Sequence, residues 1–198
     1  MSDLEMPAPG IRMTATERTQ HVIAAATAAF AAGGYAGTTT DQVARRANVS
    51  QPYVLRLFGS KRDLFLAVAQ NACDHVQQAF RASVANLPDA ADHTRRLAAL
   101  AEAYLKLARD RDQLLVMMHA FLAASDPVIG PAIRATMLDV YRLVCALGHA
   151  NPAQARDFLA RGMLINTLVA LDMPNHRTED SDADELVSVT FLLPELDE

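Results

Sequence analysis

Apolar residues along this chain recur at intervals of three and four, and no useful stretch alternates apolar with polar. That period predicts helices without a sheet, and hence an all-α fold. Val22, Ile23, Ala26 and Phe30 share one face of a first helix over about 15–32, which Gly33-Gly34 should end. Val43, Ala44 and Ala47 mark a short second helix, with Thr39 and Gln42 spaced for a reciprocal N-terminal cap. Asn48-Val49-Ser50 reads as a tight turn. Asn tolerates the left-handed backbone, Val49 plugs the core, and Ser50 caps the next helix. That third helix, 51–58, has Pro52 in its first turn, where a missing donor does no harm. Gly59 closes it, and Ser60 caps a helix opening at Lys61.

The fourth helix, about 61–85, carries Phe65, Val68, Ala72, Val76 and Phe80 on one stripe and is long enough to bridge into the rest of the chain. Leu97, Leu100, Ala101, Tyr104, Leu105 and Ala108 mark a fifth helix, and a sixth spans about 113–124. The next segment opens at Asp126-Pro127, should be interrupted near Gly130-Pro131, and continues helical through Leu147. Asn151-Pro152-x-Gln154 repeats the cap signature before a helix reaching about Leu171. Residues 174–182 read as a polar, acidic loop and 183–193 as a last short helix, for about nine helices in all. The expected division is a flexible start over 1–13, a three-helix helix-turn-helix DNA-binding unit over 14–60, and a larger helical body over 61–198, to which the resemblance described below gives ligand binding and dimerisation.

Composition adds three constraints. A hydrophobic content of 51% supports a sizeable core and argues against general disorder. No apolar run reaches membrane-spanning length, the start MSDLEMPAPG lacks the order of a signal peptide, and Cys73 and Cys145 make no disulfide framework. A cytoplasmic protein with no membrane partner is the expectation. The net charge of −5 hides a segregation. Residues 11–62 hold seven Lys/Arg against two acidic residues, while 63–198 hold eleven against nineteen. A cationic head on an anionic body suits a module that faces phosphates.

The residues Arg18, Ile23, Ala26, Phe30, Gly34-Tyr35, Thr39, Val43-Ala44, Val49-Ser50, Phe58, Ser60-Lys61 and Leu64 carry a resemblance. In order and spacing, the stretch from Arg18 to Val68 resembles the DNA-binding domain of the TetR family of one-component transcriptional regulators. The resemblance implies three helices for DNA, then a body that binds a small molecule and dimerises through its last two long helices. It further implies a homodimer on double-stranded DNA with a near-palindromic operator, most simply a repressor released by its effector. Three positions depart from the family pattern. Asn48 stands where Gly is usual, Leu55 where a phosphate-touching Tyr is usual, and Leu57 where His or Tyr is usual. Tyr53 is the aromatic left to replace them.

Ser50, Gln51, Pro52 and Tyr53 occupy the first turn of the reading helix, the end that meets base edges in this motif. Gln51 can pair with adenine N6 and N7, and Pro52 or Tyr53 can pack on a thymine methyl. Arg56 lies one turn on, within reach of guanine or phosphate, or simply solvated. Thr39, Thr40 and Arg45 flank the groove, and Lys61 stands at a helix N-terminus suited to one phosphate. Capping alone would also account for Ser50.

In the body, Tyr104, Met117, Met118, Phe121, Met137, Tyr141 and Cys145, interrupted by the polar His119 and Asn166, suit a small hydrophobic effector. Each is equally a core residue at helical spacing. Phe158, Gly162, Met163, Ile165, Val169, Leu186, Val189 and Leu193 are candidates for the dimer interface, or for core within one chain. No Gly-rich phosphate loop, HExxH, CxxC or nucleophile elbow appears, so no enzymatic activity, catalytic residue, metal site or cofactor is expected. The alternative function is a helical small-molecule-binding protein that has lost operator binding.

Overall fold

The computed structural model describes residues 14–192. Among them are ten α-helices, two single turns of 3-10 helix and no strand. The first helix, α1 (Ala15–Gly37), starts at Thr14, whose hydroxyl accepts the Glu17 N–H while the Glu17 carboxylate accepts the Thr14 N–H. It outruns its expected end. Gly34, at φ +63°, kinks the helix instead of stopping it, in a conformation cheap only for glycine. Next come α2 (Thr40–Arg46) and α3 (Gln51–Phe58), joined by a turn in which Asn48 has φ +51°. His21 of α1 pins this turn, its Nε2 lying 2.9 Å from the Ala47 carbonyl.

From Lys61 to Val84, α4 leaves this three-helix head and enters the body. The body consists of α5 (His93–Leu107), α6 (Arg111–Leu122), α7 (Ile129–Gly148), α8 (Pro152–Ala170), α9 (Met173–His176) and α10 (Ser181–Phe191). Burial of Phe30, Val43, Val54, Phe65 and Val68 forms the core of the head. Val116 of α6 and Ile129 of α7 belong to the same cluster, so head and body share one apolar core where α1 lies along α6. Phe65 locks it, with the rings of Phe30 and Tyr35 each 5.0 Å from its own. A second cluster gathers Phe80, Leu100, Val144 and Ala155, and a third Ala108, Leu114, Ile165 and Val169.

Two local expectations are corrected. The break near Gly130-Pro131 does not occur: α7 begins at Ile129, which places Pro131 in the first turn, where its missing donor costs nothing. Asp126 caps that turn, accepting the N–H groups of Val128 at 2.8 Å and Ile129 at 3.1 Å. Gly130 is required by contact, because a Cβ there would meet the Ala124 carbonyl oxygen at 2.2 Å. The segment 174–182 is not a plain loop. It holds part of the one-turn α9 and a 3-10 turn, after Asp172 takes a left-handed conformation past the end of α8. Hence the described residues hold ten helices where about nine were expected. The expected flexible start over 1–13 and Leu193 lie outside the described residues. Among those described, no helix is long and apolar enough to cross a membrane.

Candidate nucleic-acid interface and ligand chamber

The reading helix presents a free face. Val54 of α3 is fully buried and Leu57 and Phe58 half-buried, while Gln51, Pro52, Leu55 and Arg56 are exposed. Ser50 caps α3 by accepting the Tyr53 N–H at 3.3 Å. Gln51 is held from behind, its Nε2 donating to Thr40 Oγ1 at 2.9 Å. That bond leaves Oε1 and a second N–H free, the pair a base edge such as adenine needs. The Arg56 guanidinium lies over the half-buried Tyr53 ring, 5.0 Å from its centroid. Thr39 caps α2 through the Gln42 N–H, and Arg45 is exposed, paired with Asp41 at 2.9 Å.

Lys61 is turned inward. Its Nζ donates to the carbonyls of Tyr35 at 2.9 Å and Thr38 at 3.1 Å and stands 4.7 Å from the Tyr35 ring centroid. Two of its three donors therefore tie off the end of α1, a task that its place at a helix N-terminus does not reveal. One residue on, Arg62 reaches across to the body and pairs with Asp126 at 3.7 Å.

In the body, Tyr104, Met117, Phe121, Met137 and Asn166 line a narrow chamber of about 60 Å³ among α4, α5, α6, α7 and α8. Phe158, Gly162 and Met163, candidates for the dimer face, line it too. The Tyr104 hydroxyl donates to Asn166 Oδ1 at 2.5 Å, and burial pushes its pKa up to about 12. Beside the chamber, a more open groove of about 380 Å³ runs between α5 and α8. Met118 packs in the third cluster, and Tyr141 and Cys145 in the second. His119 faces α1, its Nε2 lying 3.2 Å from the Ala31 carbonyl.

Ile165 and Val169 are buried within the chain, whereas Leu186 and Val189 are exposed on α10. Leu164 and Leu171, at the outer face and end of α8, and Leu192, just past α10, are exposed with them. Sequence reasoning missed these three. The seven-residue spacing of Leu164 and Leu171, turned away from the buried Ile165 and Val169, was the available signal.

A cationic helix-turn-helix head with an exposed α3 tip is the arrangement of a DNA-binding module. The profile of bacterial regulatory proteins of the tetR family matches residues 22–68. The chain is 35% identical over 95 residues to the HTH-type transcriptional activator FasR of Mycolicibacterium smegmatis, a match covering 48% of this chain and 42% of that protein. It is 39% identical over 62 residues to the HTH-type transcriptional regulator HbdR of an Aromatoleum species, covering 31% of this chain and 27% of that one. The matched stretch thus spans less than half the length of either relative. In fold it is similar to a TetR-like transcriptional regulator from a Rhodococcus species, with a TM-score of 0.66 at 20% identity over 91% of this chain and 97% of that one. The match to the tetR family of bacterial regulatory proteins thus lies in the helix-turn-helix head, residues 22–68.

Proposed function

We propose that this chain is a cytoplasmic, ligand-responsive transcriptional regulator that binds double-stranded DNA as a homodimer and represses until a small apolar effector releases it. The observation that carries the reading is the tip of α3, where Gln51 and Pro52 are exposed while Val54 anchors the helix from beneath. In the expected division, residues 14–60 read DNA and residues 61–198 bind the effector and the second copy. Support for dimerisation comes from Leu164, Leu171, Leu186, Val189 and Leu192, apolar side chains at and beside α8 and α10 that are exposed among the described residues. Two reading helices set about 34–36 Å apart would enter successive major grooves of a near-palindrome.

Release has a physical route. On α6, Met117 and Phe121 face the chamber, and His119 between them touches α1 of the head. A ligand that prefers one setting of α6 therefore biases the head, with a coupling of about 1–3 kcal/mol as the usual scale. The test is a binding-site selection from random DNA, followed by footprinting and measurement of the mass of the complex. Two protected half-sites about one helical turn apart, bound by two chains, are expected. Failure to enrich any sequence at low salt would leave the chain a ligand-binding protein without an operator.

A further inference from the structure

The chamber in the body has a specific chemistry. Its side chains are all uncharged, and apart from Thr136 its polar groups are the Tyr104 hydroxyl and the Asn166 amide. Asn166 is only 3% exposed. Its Oδ1 is taken by Tyr104, whereas its Nδ2, with two N–H groups, finds among the described residues only the Met163 thioether at 3.9 Å. A thioether is a weak acceptor, and a buried amide donor left so poorly partnered costs free energy that a better acceptor would return. The Tyr104 bond sets the amide with oxygen toward the hydroxyl and nitrogen toward Met163, which lines the chamber with it.

Tyr104, Phe158 and Gly162 line both the chamber and the groove between α5 and α8, so these side chains form the partition between the two spaces. Leu97, Ala101 and Ile165 give the groove an apolar wall, and His93, Asp157 and Arg161 also line it. Gly162 keeps the partition thin, because even a Cβ there would reach ordinary contact with the Tyr104 ring at 3.6 Å. The chamber is small and the groove several times larger.

We infer that the effector site takes a neutral, elongated molecule with one carbonyl near its end. The carbonyl oxygen accepts from Asn166 Nδ2 in the chamber, and the apolar tail passes the Tyr104–Phe158 partition into the groove. This rests on the regulator reading for its purpose, but not for its chemistry. A carboxylate head in the chamber is disfavoured because the chamber offers no cation to offset its desolvation, and the Arg161 guanidinium of the groove already donates to the Thr190 and Leu192 carbonyls. An alkane of the same length enters but leaves the amide unserved.

Three eleven-carbon probes decide it. They are 2-undecanone, undecane and undecanoate, each competing with the neutral fluorophore N-phenyl-1-naphthylamine for the full-length protein. The ketone should displace the fluorophore about tenfold more strongly than the alkane, as one buried hydrogen bond implies, and more strongly still than the carboxylate. In Asn166→Leu the advantage of ketone over alkane should vanish. Preference for the carboxylate, equal displacement by ketone and alkane, or no displacement by any probe would overturn the inference on the wild-type protein alone. Operator binding is scored separately on the same preparation. A protein that binds DNA but prefers undecanoate refutes this site and spares the regulator reading, and one that takes the ketone but binds no DNA does the reverse.

Discussion

Gln51 donates from Nε2 to Thr40 Oγ1 at 2.9 Å, so the residue at the tip of the reading helix is tethered to the helix before it. A side chain already held in place loses less entropy on meeting a base. Gln51→Ala should relax preference at one base-pair position, a change of about 1–3 kcal/mol. Thr40→Val, which keeps the shape and removes the tether, should weaken the same preference by less. A selection in which both variants enrich the wild-type sequence unchanged would remove Gln51 as a reader.

Lys61 should matter more to the head's stability than to phosphate attraction. Its ammonium is bound to the Tyr35 and Thr38 carbonyls, so Lys61→Met, which keeps the stem, strands two carbonyl acceptors. A loss of about 1–3 kcal/mol is expected in thermal or denaturant unfolding. The slope of log affinity against log salt should change by clearly less than the roughly one unit that a lost phosphate contact produces. A full unit at unchanged stability would return Lys61 to the DNA backbone.

Gly34 and His119 meet where head and body touch. An alanine Cβ at position 34 would sit 3.0 Å from His119 Nδ1, on a backbone at φ +63°. Gly34→Ala should cost about 1–3 kcal/mol from the backbone alone, since φ +63° with ψ −179° is essentially a glycine conformation. Gly37→Ala, with nothing within 4 Å of its added carbon, should be tolerated. Equal melting temperatures for the two variants would contradict the packing described.

Charge on the exposed apolar face should separate the copies. Leu171→Glu or Val189→Glu adds a carboxylate to a patch that a partner must desolvate. Sedimentation should show a single-chain particle, and operator affinity should fall with loss of the second half-site. A variant still two-chain at micromolar concentration would move the interface elsewhere.

Asp126 supplies a pH dependence with a definite sign. The N–H groups of Ile129 and Val128, and then the Arg62 guanidinium, hold its carboxyl below the ordinary aspartate value. A depressed carboxyl stabilises the fold above its unfolded value, and that contribution is lost as pH falls through the lower folded value. Wild-type melting temperature should therefore drop on acidification below the ordinary aspartate range, and Asp126→Asn should show a shallower drop. Identical acid limbs would show that the cap and the Arg62 pair contribute nothing to it.

The head was legible in the sequence because its signals are local. Caps such as Thr39–Gln42, the turn residue Asn48 and the positions of Val43 and Val54 act within a few residues, where backbone preference and helical period settle the outcome. The segregation of charge is likewise a property of the chain as written. Composition and spacing alone thus established an all-helical protein with a cationic helix-turn-helix. What they left open turns on which neighbour a residue meets from far along the chain. Phe158 and Leu164 are both apolar residues of α8, yet one lines a chamber and the other faces water. Lys61 turns inward because Tyr35 and Thr38 bring carbonyls to it, and His119 faces α1 because α6 crosses there. A helical period ranks the faces of one helix but cannot say what each face packs against; only the folded arrangement of all ten decides that.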